Sequence, residues 1–87
     1  LTIEKENIVN NRKKYNQVFS ETFNLEKDSI IDGLEYNSIP AWDSVGHMSM
    51  IAELEETFNV MLEMDEIIDF SSFNKGIEIL GKHGIEI

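Results

Sequence analysis

The chain has no cysteine, one proline and only seven basic side chains in 87 residues, and each shortage removes a class of function. Without cysteine there is no disulfide framework, no thiolate metal site and no cysteine nucleophile. Two histidines with no ligand cluster around them do not make a zinc site, so no metal is expected. No stretch approaches the roughly 18 apolar residues of a membrane span. The opening "LTIEKENIVN" carries charge from its fourth residue on, unlike the apolar run of a signal peptide. The expectation is a cytoplasmic protein with no membrane span. Nucleic-acid affinity comes largely from Lys and Arg, so a formal net charge of -10 argues against a nucleic-acid partner.

The scarce basic residues are also unevenly placed. Lys5, Arg12, Lys13, Lys14, Lys27, Lys75 and Lys82 all lie outside residues 43–70, while Asp43, Glu53, Glu55, Glu56, Glu63, Asp65, Glu66 and Asp69 lie inside. Such a segment reads either as a solvated acidic surface or as a docking surface for a basic partner.

At this length the chain forms one domain with a small core. Residues 3–23 read as a helix with Ile8, Tyr15, Phe19 and Phe23 near one face and no Gly or Pro to interrupt it. Residues 24–43, "NLEKDSIIDGLEYNSIPAWD", hold Asp32-Gly33, Asn37-Ser38 and the proline, and read as a long loop. Its apolar residues Leu25, Ile30, Leu34, Ile39 and Trp42 predict that it folds back over the core. A calcium loop starting at Asp28 is excluded, because Ile30 takes the third ligand position and Ile39 the twelfth, where a bidentate Glu is needed.

A second helix is expected from Asp43 or Ser44 to about Asn59, with Asp43 a good N-cap. "EMDEIIDF" reads as a brief helix begun by Asp65, and "SSFNKGIEILG" as a last helix capped by Ser71 or Ser72 and stopped by Gly81. The tail "KHGIEI" is expected to be frayed or loosely packed. With no persuasive strand, the predicted fold is all-α: a small four-helix bundle of three main helices plus one short one.

The second helix has two apolar stripes. At about 100° per residue, His47, Met50, Ile51, Leu54 and Phe58 converge on one arc, the expected core face. Val45, Met48 and Ala52 fall on the far side, where an ordinary surface helix is polar. Edged by Glu53, Glu55 and Glu56, this strip is either a set of tolerated surface hydrophobes or a docking surface. In the second case methionine adapts to the partner and the carboxylates steer it.

Ser44 has three readings. It can cap the helix. It can be a nucleophile activated by His47, although no third orienting group, nucleophile elbow or oxyanion hole is evident. It can accept a phosphate-linked group, whose anion would face the backbone N–H groups and positive dipole of the helix head. His47 lies on the inward arc and is expected to be a partly buried structural histidine.

"WDSVGHMSMIAELEETFNV", preceded by an acidic apolar loop and followed by "DEIIDFSSFNKGIEIL", resembles the acyl carrier proteins, the phosphopantetheine-binding carrier domains, over essentially the whole chain. The resemblance rests on Asp43-Ser44 followed by a hydrophobe, then Leu54-Glu55-Glu56 and Phe58, in a strongly acidic chain of this length. It implies a shuttle, not an enzyme. Ser44 would receive 4′-phosphopantetheine from coenzyme A through a magnesium-dependent phosphopantetheinyl transferase, and the thiol of that arm would carry an acyl or aminoacyl group as a thioester. Asp43 would belong to the attachment motif. Val45, Met48, Ala52, Glu53, Glu55 and Glu56 match the face that acyl-loading and acyl-processing enzymes grip with basic patches, and a monomer is expected.

Members that serve fatty-acid synthesis usually have a glycine before the Asp and an acid two residues after the Ser; here Trp42 and Gly46 stand in those places. The run from Tyr36 to Ser44, with His47-Met48 behind it, looks more like specialised free-standing carriers of secondary or cell-surface metabolism. The alternative is an acidic helical interaction module in which Ser44 is only a helix cap.

Overall fold

The first 22 residues of a computed structural model that describes residues 2–26 and 32–87 are dominated by one helix, α1, Thr2–Thr22. Tyr15, Val18 and Phe19 are its buried face, Phe23 is buried just past its end, and Ile8, nearer its start, is half-buried. Three further helices follow: α2, Ser44–Phe58; α3, Met64–Asp69; and α4, Phe73–Lys82. Together they make a small all-α bundle, and among the described residues the only strand-like pairing is an isolated bridge between Glu35 and Ser72.

The long connection before α2 folds back as its apolar residues predict. Leu34 and Trp42 are buried, and Leu25 and Ile39 pack against the core. Ile30, like the first part of the calcium-loop pattern from Asp28, lies outside the described residues. The loop is held by short-range bonds: Ser38 Oγ donates to the Glu35 carbonyl at 2.6 Å, and the Asn37 N–H donates to the Trp42 carbonyl at 2.9 Å. Tyr36 N–H to the Ser71 carbonyl and Phe73 N–H to the Leu34 carbonyl, both 2.9 Å, tie it to the head of α4.

Phe19 is central to the core. The rings of Tyr15, Phe73, Trp42 and Phe23 lie 5.0, 5.1, 5.4 and 5.7 Å from it, tilted or edge-on in the arrangements aromatic quadrupoles favour. The Tyr15 hydroxyl donates to the Phe73 carbonyl at 2.6 Å, and burial pushes it well above the ordinary phenol range. Gly76 makes this packing possible, since a Cβ there would run into both the Phe70 ring and the Tyr15 hydroxyl.

Three expectations need correction. The short helix begins at Met64, not Asp65, because Glu63 is its N-cap and forms a reciprocal capping box with Glu66. Gly81 does not stop α4, which runs on to Lys82 behind its Ser72 cap; the left-handed turn comes at Gly84, φ 81°. That turn also explains why the tail is not frayed. It sends the chain back so that Ile85 and Ile87 pack against the core, with Ile85 N–H bonded to the Leu80 carbonyl and Asn11 Nδ2 to the Glu86 carbonyl, each at 3.0 Å. Among the described residues, no helix is long and apolar enough to cross a membrane.

Candidate functional site at the head of helix α2

Trp42, with no exposed surface, anchors the residues just before α2 in the core. Asp43 follows in an extended conformation, φ -100° and ψ -168°, and its Oδ1 accepts from the Gly46 N–H at 2.8 Å. Asp43 is thus the N-cap. The reading of Ser44 as the cap is corrected: Ser44 is the first helical residue, exposed, and its hydroxyl is not needed to begin the helix. The first bond back to the cap runs from His47 N–H to the Asp43 carbonyl at 2.8 Å. The N–H groups of Ser44 and Val45 lie ahead of it and have no acceptor within the helix, at the end where the dipole is positive.

Gly46 is fixed by the same turn. A Cβ there would run into the backbone carbonyl of Ala41 and crowd the Phe23 ring. Glycine at position 46 is therefore a requirement of the close approach between this loop and α2.

His47 is buried one turn below Ser44, as its place on the inward arc predicts. Its Nδ1 accepts from Trp42 Nε1 at 2.9 Å. An indole nitrogen only donates, so Nδ1 carries the lone pair and the proton sits on Nε2, which donates to the Ile67 carbonyl of α3 at 2.8 Å. Both ring nitrogens are engaged, and neither is left to take a proton from Ser44. A serine–histidine nucleophile is excluded on this geometry.

A groove of about 350 Å³ opens between α2, α3 and the preceding loop, with Ser44 and His47 in its wall beside Tyr36, Met48, Met64, Ile68 and Phe70. Its apolar side continues over the surface. Val45 is 74% exposed and Met48 53%, and Ala52, Glu53 and Glu56 are exposed as the two-stripe pattern predicts. Glu55 differs. It is half-buried, and its Oε2 accepts from the Leu62 N–H at 2.9 Å, so it closes the turn after α2 in place of standing free for a partner.

Met61, Met64 and Ile68, exposed by 82, 69 and 74%, belong to the surface but were not singled out from the sequence. A signal was present: "VMLEMDEIIDF" has more large apolar residues than a six-residue helix can bury, and none of α3's own residues is buried. Ile67 packs half-buried against the core, and polar ties add to its hold on α3. His47 reaches Ile67 from α2, Lys75 pairs with Asp69 at 3.4 Å, and His83 meets both Glu66 oxygens at 2.9 and 3.0 Å. The Glu63 N–H, and then His83, hold the Glu66 carboxyl below the usual carboxylate range.

Among the described residues no group of three or more His, Asp and Glu side chains is placed to hold a metal ion. Compared with protein-family models, curated proteins and solved structures, the chain matches none of them.

Proposed function

We propose that the protein is an acyl carrier of the specialised, free-standing type, with Ser44 the attachment point of 4′-phosphopantetheine. The observation that carries this reading is the release of Ser44 from capping: Asp43 starts the helix, and an exposed hydroxyl is left at the helix head on the wall of an apolar groove. The residues suit the group. A phosphodiester on Ser44 would have the N–H groups of Ser44 and Val45 and the positive end of α2 to offset its charge. The Asp43 carboxylate beside it is already engaged by Gly46. Bound there, the arm supplies the thiol that a chain without cysteine lacks. The chain's own part is to present it: Trp42 and Asp43 fix the turn, Gly46 lets the loop lie against α2, and Val45, Met48 and Ala52, edged by Glu53 and Glu56, offer an apolar and acidic grip to basic loading and processing enzymes.

A second reading, a plain acidic interaction module, is favoured by the same exposed strip. The two separate at Ser44. The test is intact mass after incubation with coenzyme A, magnesium and a permissive phosphopantetheinyl transferase, with the modified peptide mapped. A single phosphopantetheine on Ser44, absent from Ser44→Ala, is expected. No mass gain while a control carrier is converted would leave the interaction module standing.

A further inference from the structure

Resting on the carrier reading, we infer that this protein keeps its cargo on the outside of the bundle, and that its substrates are short acyl groups, aminoacyl included, not long fatty chains. The way inward from Ser44 is closed. His47 spans the seam between α2 and α3, bonded on one side to Trp42 Nε1 at 2.9 Å and on the other to the Ile67 carbonyl at 2.8 Å. Behind it the space is filled by aromatic rings. Trp42 lies nearly parallel to His47 at 6.2 Å, Phe70 meets His47 edge-on at 6.1 Å, and Phe23 stacks on Trp42 at 5.2 Å.

A chain entering the interior would have to part α3 from α2, leaving the His47 Nε2–H and the Ile67 carbonyl without partners, and displace close-packed rings. The groove outside requires none of this. At about 350 Å³ it stands at the small end of the roughly 300–1,000 Å³ usual for ligand pockets. Met48 and Met64 give it adaptable apolar walls, and Tyr36 and Ser71 complete its lining. A short acyl group fits that space; a long one runs out into solvent.

The test loads acetyl-, butyryl-, octanoyl- and tetradecanoyl-phosphopantetheine onto Ser44 from the corresponding acyl-coenzyme A, with loading verified by intact mass. Amide chemical shifts and the melting midpoint are then measured for each form. Met48, Met64 and Ile68 are expected to shift on going from acetyl to butyryl and to change no further with longer chains. Leu54, Ile79 and Leu80, all buried, are expected to stay in place throughout, and the melting midpoint to stay flat.

Progressive shifts at Leu54, Ile79 and Leu80, with a melting midpoint that climbs from butyryl to tetradecanoyl, would overturn the inference and leave the carrier reading intact. No mass gain with any of the four would remove both. In His47→Ala, interior shifts with the octanoyl form are expected to appear. If that variant does not fold, the series on the parent protein decides by itself.

Discussion

The indole N–H of Trp42 donates to Nδ1 of His47 at 2.9 Å, and this bond fixes the histidine proton on Nε2, where it serves the Ile67 carbonyl. A loop residue, a residue of α2 and a backbone group of α3 are joined through one ring. Trp42→Phe keeps an aromatic side chain but leaves Nδ1 buried without a donor. The expected loss is about 1–3 kcal/mol for the orphaned acceptor, with the lost ring volume added, read from urea denaturation. Imidazole nitrogen shifts of the parent protein should report the Nε2–H tautomer. The opposite tautomer would break this account of the seam.

Gly46→Ala is expected to cost about 1–3 kcal/mol by overpacking. The obstruction is the Ala41 backbone carbonyl, which cannot rotate aside as a flexible side chain would. Because Ala41, Trp42 and Asp43 precede Ser44 directly, the variant should also gain phosphopantetheine more slowly, measured as the rate of mass increase. A variant as stable and as fast as the parent would show that the loop yields freely.

The second helix was readable because its burial follows local spacing: His47, Met50, Ile51 and Leu54 are its buried residues, with Phe58 packed beside them. Trp42 was readable as buried for a different reason, since an indole in a loop has little else to do. What could not be read is what depends on two distant segments meeting. The partners of His47 lie in a loop and in α3, and the obstacle that demands glycine at position 46 is a carbonyl five residues away. The return of Ile85 and Ile87 hangs on the left-handed turn at Gly84, where the sequence also offered Gly81 as a stop. Glu55 looked like its neighbours Glu53 and Glu56 until the Leu62 N–H was placed against it.

On the carrier reading Asp43 serves structure and Ser44 function, and two variants test that division. Asp43→Ala removes the cap and is expected to cost about 0.5–2 kcal/mol. Ser44→Ala touches no capping bond and should change stability by less than about 0.5 kcal/mol, yet abolish mass gain completely. Thermal denaturation and intact mass on the two variants together suffice. Comparable destabilisation by Ser44→Ala would return the serine to a structural role.

The exposed strip beside Ser44 is bordered by Glu53 and Glu56, which should steer basic partners more than they hold them. Glu53→Lys combined with Glu56→Lys is therefore expected to slow modification by a basic-faced transferase at low salt, and to matter little once ionic strength shortens the screening length to a few ångströms. Initial rates of mass gain across a salt series check this. A defect of equal size at all salt concentrations would place the two carboxylates in direct short-range contact instead.

Acid should loosen α3 through Glu66. Its carboxyl is held below 4.5, its ordinary value, by the Glu63 N–H and by His83. The sign follows from proton linkage: a depressed folded-state pKa means the unfolded chain binds the proton more readily. The stabilisation from Glu66 is therefore complete above about pH 4.5 and is lost as pH falls through the lowered value. Glu66→Gln is the comparison, because a glutamine can still accept the Glu63 N–H of the capping box while it gives up the charge and one of the two oxygens that meet His83. The stability gap between parent and variant should close as pH falls below about 4.5. Amide exchange in Met64–Asp69 should quicken in the parent over the same interval, since no residue of this helix is fully buried and its apolar hold on the core is the half-buried Ile67. A gap that stays open at acid pH would mean that shape and hydrogen bonding, not the carboxylate charge, hold α3 in place.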